Sequence, residues 1–194
     1  MDAREQDGPT AGDALEPDTK DWTWVLGRAC PECGLDVGAV PREELGERLR
    51  ANADAWGPVL ERGDARERPD ATTWSALEYG CHVRDVFALF GERLTLMLSE
   101  DDPLFGNWDQ DATAVASRYA EQDPAAVAAD TVAFGHALAA RFDALDEAAW
   151  QRAGRRSDGA SFTVESFGRY LLHDPVHHLH DVGGTAGGAG GVLP

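Results

Sequence analysis

Basic residues are scarce in this 194-residue chain, in which 17 Lys and Arg stand against 35 Asp and Glu. The formal net charge is −18, and Lys20 is the sole lysine. Because so acidic a surface repels phosphate backbones and anionic headgroups, nucleic acid and membrane surfaces are poor partners. The composition therefore predicts neither a nucleic-acid nor a membrane partner.

Cysteine is equally scarce. The three cysteines (Cys30, Cys33 and Cys81) are too few, and odd in number, for a disulfide scaffold. No apolar run approaches the ~20 residues that span a bilayer. The first twenty residues lack the basic start and the apolar core of a secretory signal. We expect a cytoplasmic protein.

Familiar catalytic motifs and strand patterns are also missing. The sequence has no Gly-rich phosphate loop, no G-x-S-x-G turn and no H-E-x-x-H helix. Strand signals are nearly absent, and WTWVLG at 22–27 is the best extended candidate. The same stretch is also compatible with an extension of the first helix or with a lid.

What the sequence does contain is helical periodicity. Hydrophobic residues make up 43% of the chain, enough for a substantial core. Thr72 or Thr73, Asp123 and Thr163 are suited to cap three of the helices. Four long helical segments are predicted, at 41–62, 73–99, 124–145 and 163–182. We expect an all-α fold, an up-and-down four-helix bundle with long connecting loops.

The bundle is expected to form a single domain over residues 21–182. The polar, Gly- and Pro-containing residues 1–20 are predicted to be disordered. Residues 183–194 are predicted to form a flexible Gly-rich tail, with Gly183 and Gly184 ending the last helix.

Histidines are concentrated in HDPVHHLHDV, at 173–182. His173 and His177 are spaced i and i+4, so their rings share one helix face and can share one metal ion. His82 lies on the apolar stripe of the second helix, where a ring nitrogen needs a partner that a metal could supply. We predict a metal site from His82, His173 and His177, with His180 or His178 as an alternative ligand. The competing interpretation is a hydrogen-bonded core His82 and a polar helix end.

ACPECG at 29–34 supplies one C-x-x-C pair. A structural zinc site needs four ligands, so this pair would require a histidine or a partner chain. A thioredoxin-like interpretation lacks the βαβ context. We therefore expect Cys30 and Cys33 to be free thiols near a loop, and Cys81 to be a core residue.

The stretches LEYGCHVRDV and YLLHDPVHHLHDV resemble the DinB-like superfamily, over about residues 41–182. The resemblance implies a four-helix bundle that holds a divalent metal through His82, His173 and His177. Zinc is the expected ion, with nickel or iron as alternatives. Relatives include thiol S-transferases and a mycothiol-dependent isomerase, so a mycothiol-type thiol cosubstrate and an electrophilic substrate are expected. A second copy of the chain, bound through an apolar helix face in a homodimer, is a further candidate partner.

Four further residues are candidates for the site. Glu78, one turn before His82, is a candidate base or orienting group, and Arg84 is a candidate substrate contact. Residues 100–111 form an acidic turn with aromatic anchors, in which Trp108 could wall a pocket and Asp109 could accept a hydrogen bond from a sugar-bearing thiol.

The sequence as a whole predicts a metal-dependent enzyme that activates a thiol or water. Thiol S-transfer or thiol-dependent isomerisation is the leading activity. A metal-dependent hydrolase and a non-catalytic metal- or ligand-binding bundle are the alternatives.

Overall fold

The computed structural model of the protein describes residues 21–186. The predicted disorder of residues 1–20 lies outside this range, as does the predicted tail from residue 187 onward. Within the range, no helix is long and apolar enough to cross a membrane. The helices are α1 (Leu45–Leu60), α2 (Ala76–Ser99), α3 (Gln110–Ala116), α4 (Pro124–Asp143), α5 (Glu147–Trp150) and α6 (Val164–Asp181), and the strands are β1 (Leu104–Phe105), β2 (Ala153–Arg156) and β3 (Ser161–Thr163).

The four long helices, α1, α2, α4 and α6, match the four predicted segments to within about one turn at either end. Asp123 caps α4 and Thr163 caps α6, as predicted. The predicted cap of α2 at Thr72 or Thr73 is wrong. Ser75 caps that helix in a reciprocal capping box with Glu78, in which each side chain accepts from the other residue's backbone N–H.

The order of the helices around the bundle differs from a simple up-and-down arrangement. α4 packs against both α1 and α2, and α6 packs against the same two helices, whereas α1 and α2 touch each other less. Gly135 makes the α1–α4 approach close, since a Cβ there would lie 2.5 Å from the Ala53 Cβ. Helices that are consecutive in the chain therefore need not be the main neighbours in the bundle.

The prediction of an all-α fold omitted a small three-stranded sheet. β1 pairs with β2 in parallel, and β2 pairs with β3 as an antiparallel hairpin. These strands have two to four residues, too short for a period-two pattern to be recognised. The sheet is formed largely from the connections that flank the third bundle helix, and its residues Phe105 and Phe162 join the hydrophobic core.

The segment between Trp22 and Val40 packs across α6. Trp22–Leu26 and Val37–Ala39 are short 3-10 helices, so the extended candidate at 22–27 is helical. Both segments contact α6, and Val25 and Val37 are buried. This packing brings the cysteine loop that joins them close to the histidines of α6.

Helix α6 is held to α1 through a buried amide. The side-chain nitrogen of Asn52 donates to the carbonyl oxygen of Pro175 at 2.8 Å. α6 ends as predicted at Gly183, where φ is +63°. The N–H groups of Gly183 and Gly184 donate to the carbonyls of His180 and Leu179, which is the Schellman pattern.

Candidate metal sites

Helix α6 carries two pairs of ligating side chains, each spaced i and i+4. His173 and His177 form one pair, and Asp174 and His178 form the other. Consecutive helical residues are about 100° apart, so the two pairs face neighbouring but different directions. His173 and His177 are buried, whereas Asp174 and His178 are partly exposed. Each pair meets a different part of the fold.

The second pair joins His82 of α2 in what we call the bundle site (His82, Asp174 and His178). The three residues offer ligating atoms that all lie within 4.8 Å of one another. His82 Nε2 is 3.3 Å from Asp174 Oδ1. Both ring nitrogens of His82 and this carboxylate oxygen are nevertheless buried without a hydrogen-bond partner of acceptable geometry.

Charge also favours the ionised carboxylate in the bundle site. The side chain of Asp174 is 32% exposed. Burial alone would raise the pKa of Asp174, but the neighbouring imidazoles, His82 foremost and then His178 and His173, together outweigh this and lower that pKa to about 2. Asp174 is therefore an anion at neutral pH, which is the form that binds a cation.

Aromatic rings enclose the bundle site. The indole of Trp108 stacks on the His82 ring with centroids 5.3 Å apart, and its own nitrogen donates to Thr113 Oγ1 at 2.8 Å. Tyr79 packs against His178 at 4.9 Å, and Trp74 against His82 at 5.5 Å. These contacts restrict the orientations of the His82 and His178 rings.

Two cavities meet at Asp174. The smaller has a volume of about 500 Å³, and its lining includes Tyr79, His178 and Asp181. The larger, of about 830 Å³, is lined partly by Trp108. Because Asp174 borders both cavities, each of them gives a ligand access to this carboxylate of the bundle site.

The larger cavity has cationic side chains on its wall. Arg93 is 5% exposed and donates to the carbonyl oxygen of Gly106 at 2.8 Å. Among the described residues, no carboxylate lies within ion-pair distance of Arg93. Burial, followed by repulsion from Arg156, lowers the pKa of Arg93 to about 10. Arg156 itself pairs with Asp158 at 2.7 Å.

The first pair on α6 meets the N-terminal cysteine loop in what we call the loop site (Cys30, Cys33, His173 and His177). Their ligating atoms also lie within 4.8 Å of one another, and Cys30 Sγ is 3.7 Å from His177 Nδ1. Burial lowers the pKa of His173 to about 4 and also lowers that of His177. Both imidazoles are therefore neutral at pH 7, the state in which histidine binds metal.

The structure separates the three ligands predicted from the sequence. His82 lies in the bundle site, while His173 and His177 lie in the loop site, so the described residues do not unite them in one cluster. The physical reason is the single-residue offset on α6, which turns Asp174 and His178 toward α2. His180, the alternative ligand, has a side chain that is 56% exposed and belongs to neither cluster.

Glu78 and Arg84 are members of neither cluster. The Glu78 carboxylate accepts from Ser75 in the capping box and from Arg68. Arg84 pairs with Asp85 at 2.8 Å and donates to Gln122 at 2.6 Å. Glu78 therefore stabilises the start of α2, and Arg84 contacts its neighbour on this helix and a residue that packs beside it. Within the described part of the chain, neither side chain forms a hydrogen bond or ion pair with a residue of the two clusters.

Trp108 and Asp109 both line the larger cavity. Asp109 also caps α3, accepting from the N–H of Ala112 at 2.8 Å. Sequence reasoning missed Asp174 as a candidate ligand and treated His178 only as an alternative. The signal that could have identified them is the doubled spacing in HDPVHH, in which two i,i+4 pairs overlap by one residue.

Taken together, the fold and these clusters define a four-helix bundle with ligating side chains on facing helices. The DinB superfamily profile matches residues 45–182, and the chain belongs to that family. A search of curated proteins finds no significant match.

Among solved structures, the chain resembles YfiT from Bacillus subtilis, described as "a probable metal-dependent hydrolase with an unusual four-helix bundle topology". The TM-score is 0.56 at 18% identity, and the alignment covers 86% of this chain and 89% of YfiT. This similarity supports the four-helix bundle fold.

Proposed function

We propose that the protein is a metal-dependent enzyme whose divalent ion is held by His82, Asp174 and His178. The observation that carries the proposal is the set of buried, unpartnered atoms on His82 and Asp174. An unpaired buried polar group costs about 1–3 kcal/mol, and a shared cation would satisfy one His82 ring nitrogen together with the Asp174 oxygen. The donor set therefore fits a metal.

Two imidazoles and one carboxylate suit zinc in hydrolytic sites, or ferrous iron, and leave positions for substrate. We propose hydrolysis as the leading reaction, and zinc as the ion, with nickel or iron as alternatives. A bound divalent ion would act as a Lewis acid and lower the pKa of a nucleophilic water or thiol. The description of YfiT as a probable metal-dependent hydrolase supports this assignment by analogy.

The side chains around the site supply binding and orientation. Trp108 holds the His82 ring in place and presents an apolar wall to the larger cavity. Arg93 and Arg156, on the wall of the same cavity, favour a substrate that carries a carboxylate or another anionic group. The wall of this cavity also carries aspartates, so an anionic group would be recognised by direct contact with an arginine and not by a net positive charge. These aspartates are Asp21, Asp109, Asp111, Asp158 and Asp174.

Thiol transfer is the second candidate function. The observation in its favour is the pair of cavities that both border Asp174, since together they offer room for a thiol such as mycothiol and for an electrophile. In this arrangement Asp109 would accept a hydrogen bond from the sugar of the thiol. A cytoplasmic location and a homodimer remain part of the proposal.

The test combines metal content with turnover. The full chain is stripped with a chelator, reloaded with zinc, nickel or ferrous iron, and assayed for p-nitrophenyl acetate hydrolysis and for mycothiol conjugation to monobromobimane. Asp174→Asn and His82→Ala should each lose one metal equivalent and the metal-dependent turnover. His136→Ala is the matched control, because His136 pairs with the exposed Asp54 outside both clusters.

Each outcome is decisive. Metal-dependent ester hydrolysis without thiol would support the hydrolase, and conjugation alone would support thiol transfer. Turnover that is equal with and without metal would overturn the metal-dependent mechanism. Stoichiometric metal at the bundle site with neither activity would instead favour a non-catalytic binding bundle.

A further inference from the structure

The cysteine loop and α6 form a second cluster of ligands, separate from the proposed catalytic centre. We propose that the loop site (Cys30, Cys33, His173 and His177) binds a structural zinc ion that fastens the segment between Trp22 and Val40 to α6. All four ligands come from the chain, which matches the closed, four-coordinate pattern of structural zinc sites.

The distances suit a tetrahedral zinc ion. Zn–S and Zn–N bonds of about 2.3 and 2.1 Å at a tetrahedral angle place a sulfur and a nitrogen roughly 3.6 Å apart. Cys30 Sγ and His177 Nδ1 are separated by 3.7 Å. Zinc would bring the remaining ligating atoms, all within 4.8 Å of one another, to similar separations.

The cysteine loop has the backbone of a metal-binding turn. Gly34 N–H donates to the carbonyl oxygen of Cys30, and Cys30 N–H donates to that of Leu35, both at 2.9 Å. Gly34 has φ of +75°, a conformation that glycine adopts without strain. This tight turn brings the thiols of Cys30 and Cys33 to the same side of the loop.

The surroundings of the imidazoles are those of metal ligands. Glu32 Oε2 lies 3.4 Å from His177 Nε2, on the ring nitrogen opposite the one that faces Cys30. A carboxylate at the outer nitrogen is the usual device that orients a histidine toward a metal. His173 Nε2 is buried without a hydrogen-bond partner, and Trp22 packs on both rings, at 5.5 and 5.2 Å.

Charge balance favours zinc in this buried position. On binding, each cysteine releases its proton to solvent, and the two thiolates neutralise the ion while the imidazoles stay neutral. A neutral assembly carries a much smaller desolvation cost than an isolated buried charge. A redox role for the C-x-x-C pair would leave His173 and His177 without a function, and the described residues show no βαβ unit around it.

Cobalt substitution tests the site without any assay of activity. The chelator-treated full chain, kept reduced and anaerobic, is titrated with Co²⁺ and followed by visible and near-ultraviolet absorption. We expect strong tetrahedral bands together with thiolate-to-cobalt charge transfer. Cys33→Ser and His173→Gln should each remove the charge-transfer band or shift it markedly, and zinc should displace the cobalt.

Two variants serve as controls. Cys81→Ala removes the remaining thiol, which contacts the carbonyl oxygen of Tyr119 in the core, and should leave the bands unchanged. His82→Ala should keep the charge-transfer band while losing the separate equivalent bound at the bundle site. The two proposals can therefore fail independently of one another.

Tryptic cleavage tests whether zinc at the loop site anchors the segment between Trp22 and Val40 to α6. Arg28 is exposed in the turn just before Cys30, and we expect zinc to slow tryptic cleavage after Arg28 at least tenfold. Cys33→Ser should remove this protection, and His82→Ala should retain it. Absence of a thiolate band in the reduced wild type, or an unchanged band in both Cys33→Ser and His173→Gln, would overturn the site. Equal cleavage with and without zinc would overturn the anchoring role.

Discussion

Replacing His82 by leucine should have opposite effects on stability with and without metal. His82 is fully buried, its Nε2 lies 3.3 Å from Asp174 Oδ1, and neither ring nitrogen has a hydrogen bond of acceptable geometry. Two such groups cost about 2–6 kcal/mol, whereas losing the stacking on Trp108 costs about 0.5–1.5 kcal/mol. After further losses from imperfect packing of the new side chain and from the missing attraction between His82 and Asp174, His82→Leu should stabilise the chelated protein by about 1 kcal/mol.

Metal should reverse this order. An ion at a hundred times its dissociation constant stabilises the wild type by about 2.7 kcal/mol, a gain that His82→Leu lacks at this site. The loop site contributes equally to both proteins and cancels from the comparison. Urea unfolding at pH 7.5, with chelator and then with zinc, measures both differences.

Two results would refute the reasoning. One is a chelated His82→Leu that is less stable than the chelated wild type by more than about 1 kcal/mol, since the buried nitrogens would then cost little. The other is an unchanged metal content in the variant. His136→Ala, measured in parallel, should leave the metal-induced stabilisation intact.

Three further predictions concern the scaffold. Burial alone would raise the pKa of the Glu78 carboxyl group, but its hydrogen bonds to Arg68 and to Ser75 at the helix cap lower that pKa. The ionised Glu78 therefore stabilises the fold fully at pH values above its pKa in the unfolded chain. This stabilisation is lost as the pH falls through the lower pKa that Glu78 has in the folded protein. Glu78→Gln should therefore cost about 2 kcal/mol near pH 7 and progressively less in acid, as urea titrations across pH would reveal. Gly135→Ala should destabilise the α1–α4 contact by about 1–3 kcal/mol, because its Cβ would lie 2.5 Å from that of Ala53; an unchanged melting temperature would contradict the close approach. Gly183→Ala should cost about 1 kcal/mol, since φ is +63° there, and thermal unfolding would measure it.

The sequence by itself determined the four long helices. Apolar spacing located α1, α2, α4 and α6, because such spacing reflects which side of each helix is buried. Asp123, Thr163 and Gly183 specified helix ends, because capping acts through bonds between residues close in sequence. The match to the DinB superfamily covers residues 45–182, the region that contains these four helices. In each case the information is local.

The tertiary structure alone decided which ligands meet. The sequence supplied the i,i+4 pair His173 and His177, but helix spacing equally supports Asp174 with His178, and it cannot say what faces either pair. That depends on how α2 packs against α6, and on the return of the cysteine loop across α6 from more than a hundred residues away. The three-stranded sheet arose in the same way, from short segments with little local signal. Contacts distant in the chain follow from packing of the whole fold, which therefore divided one predicted histidine site into two clusters.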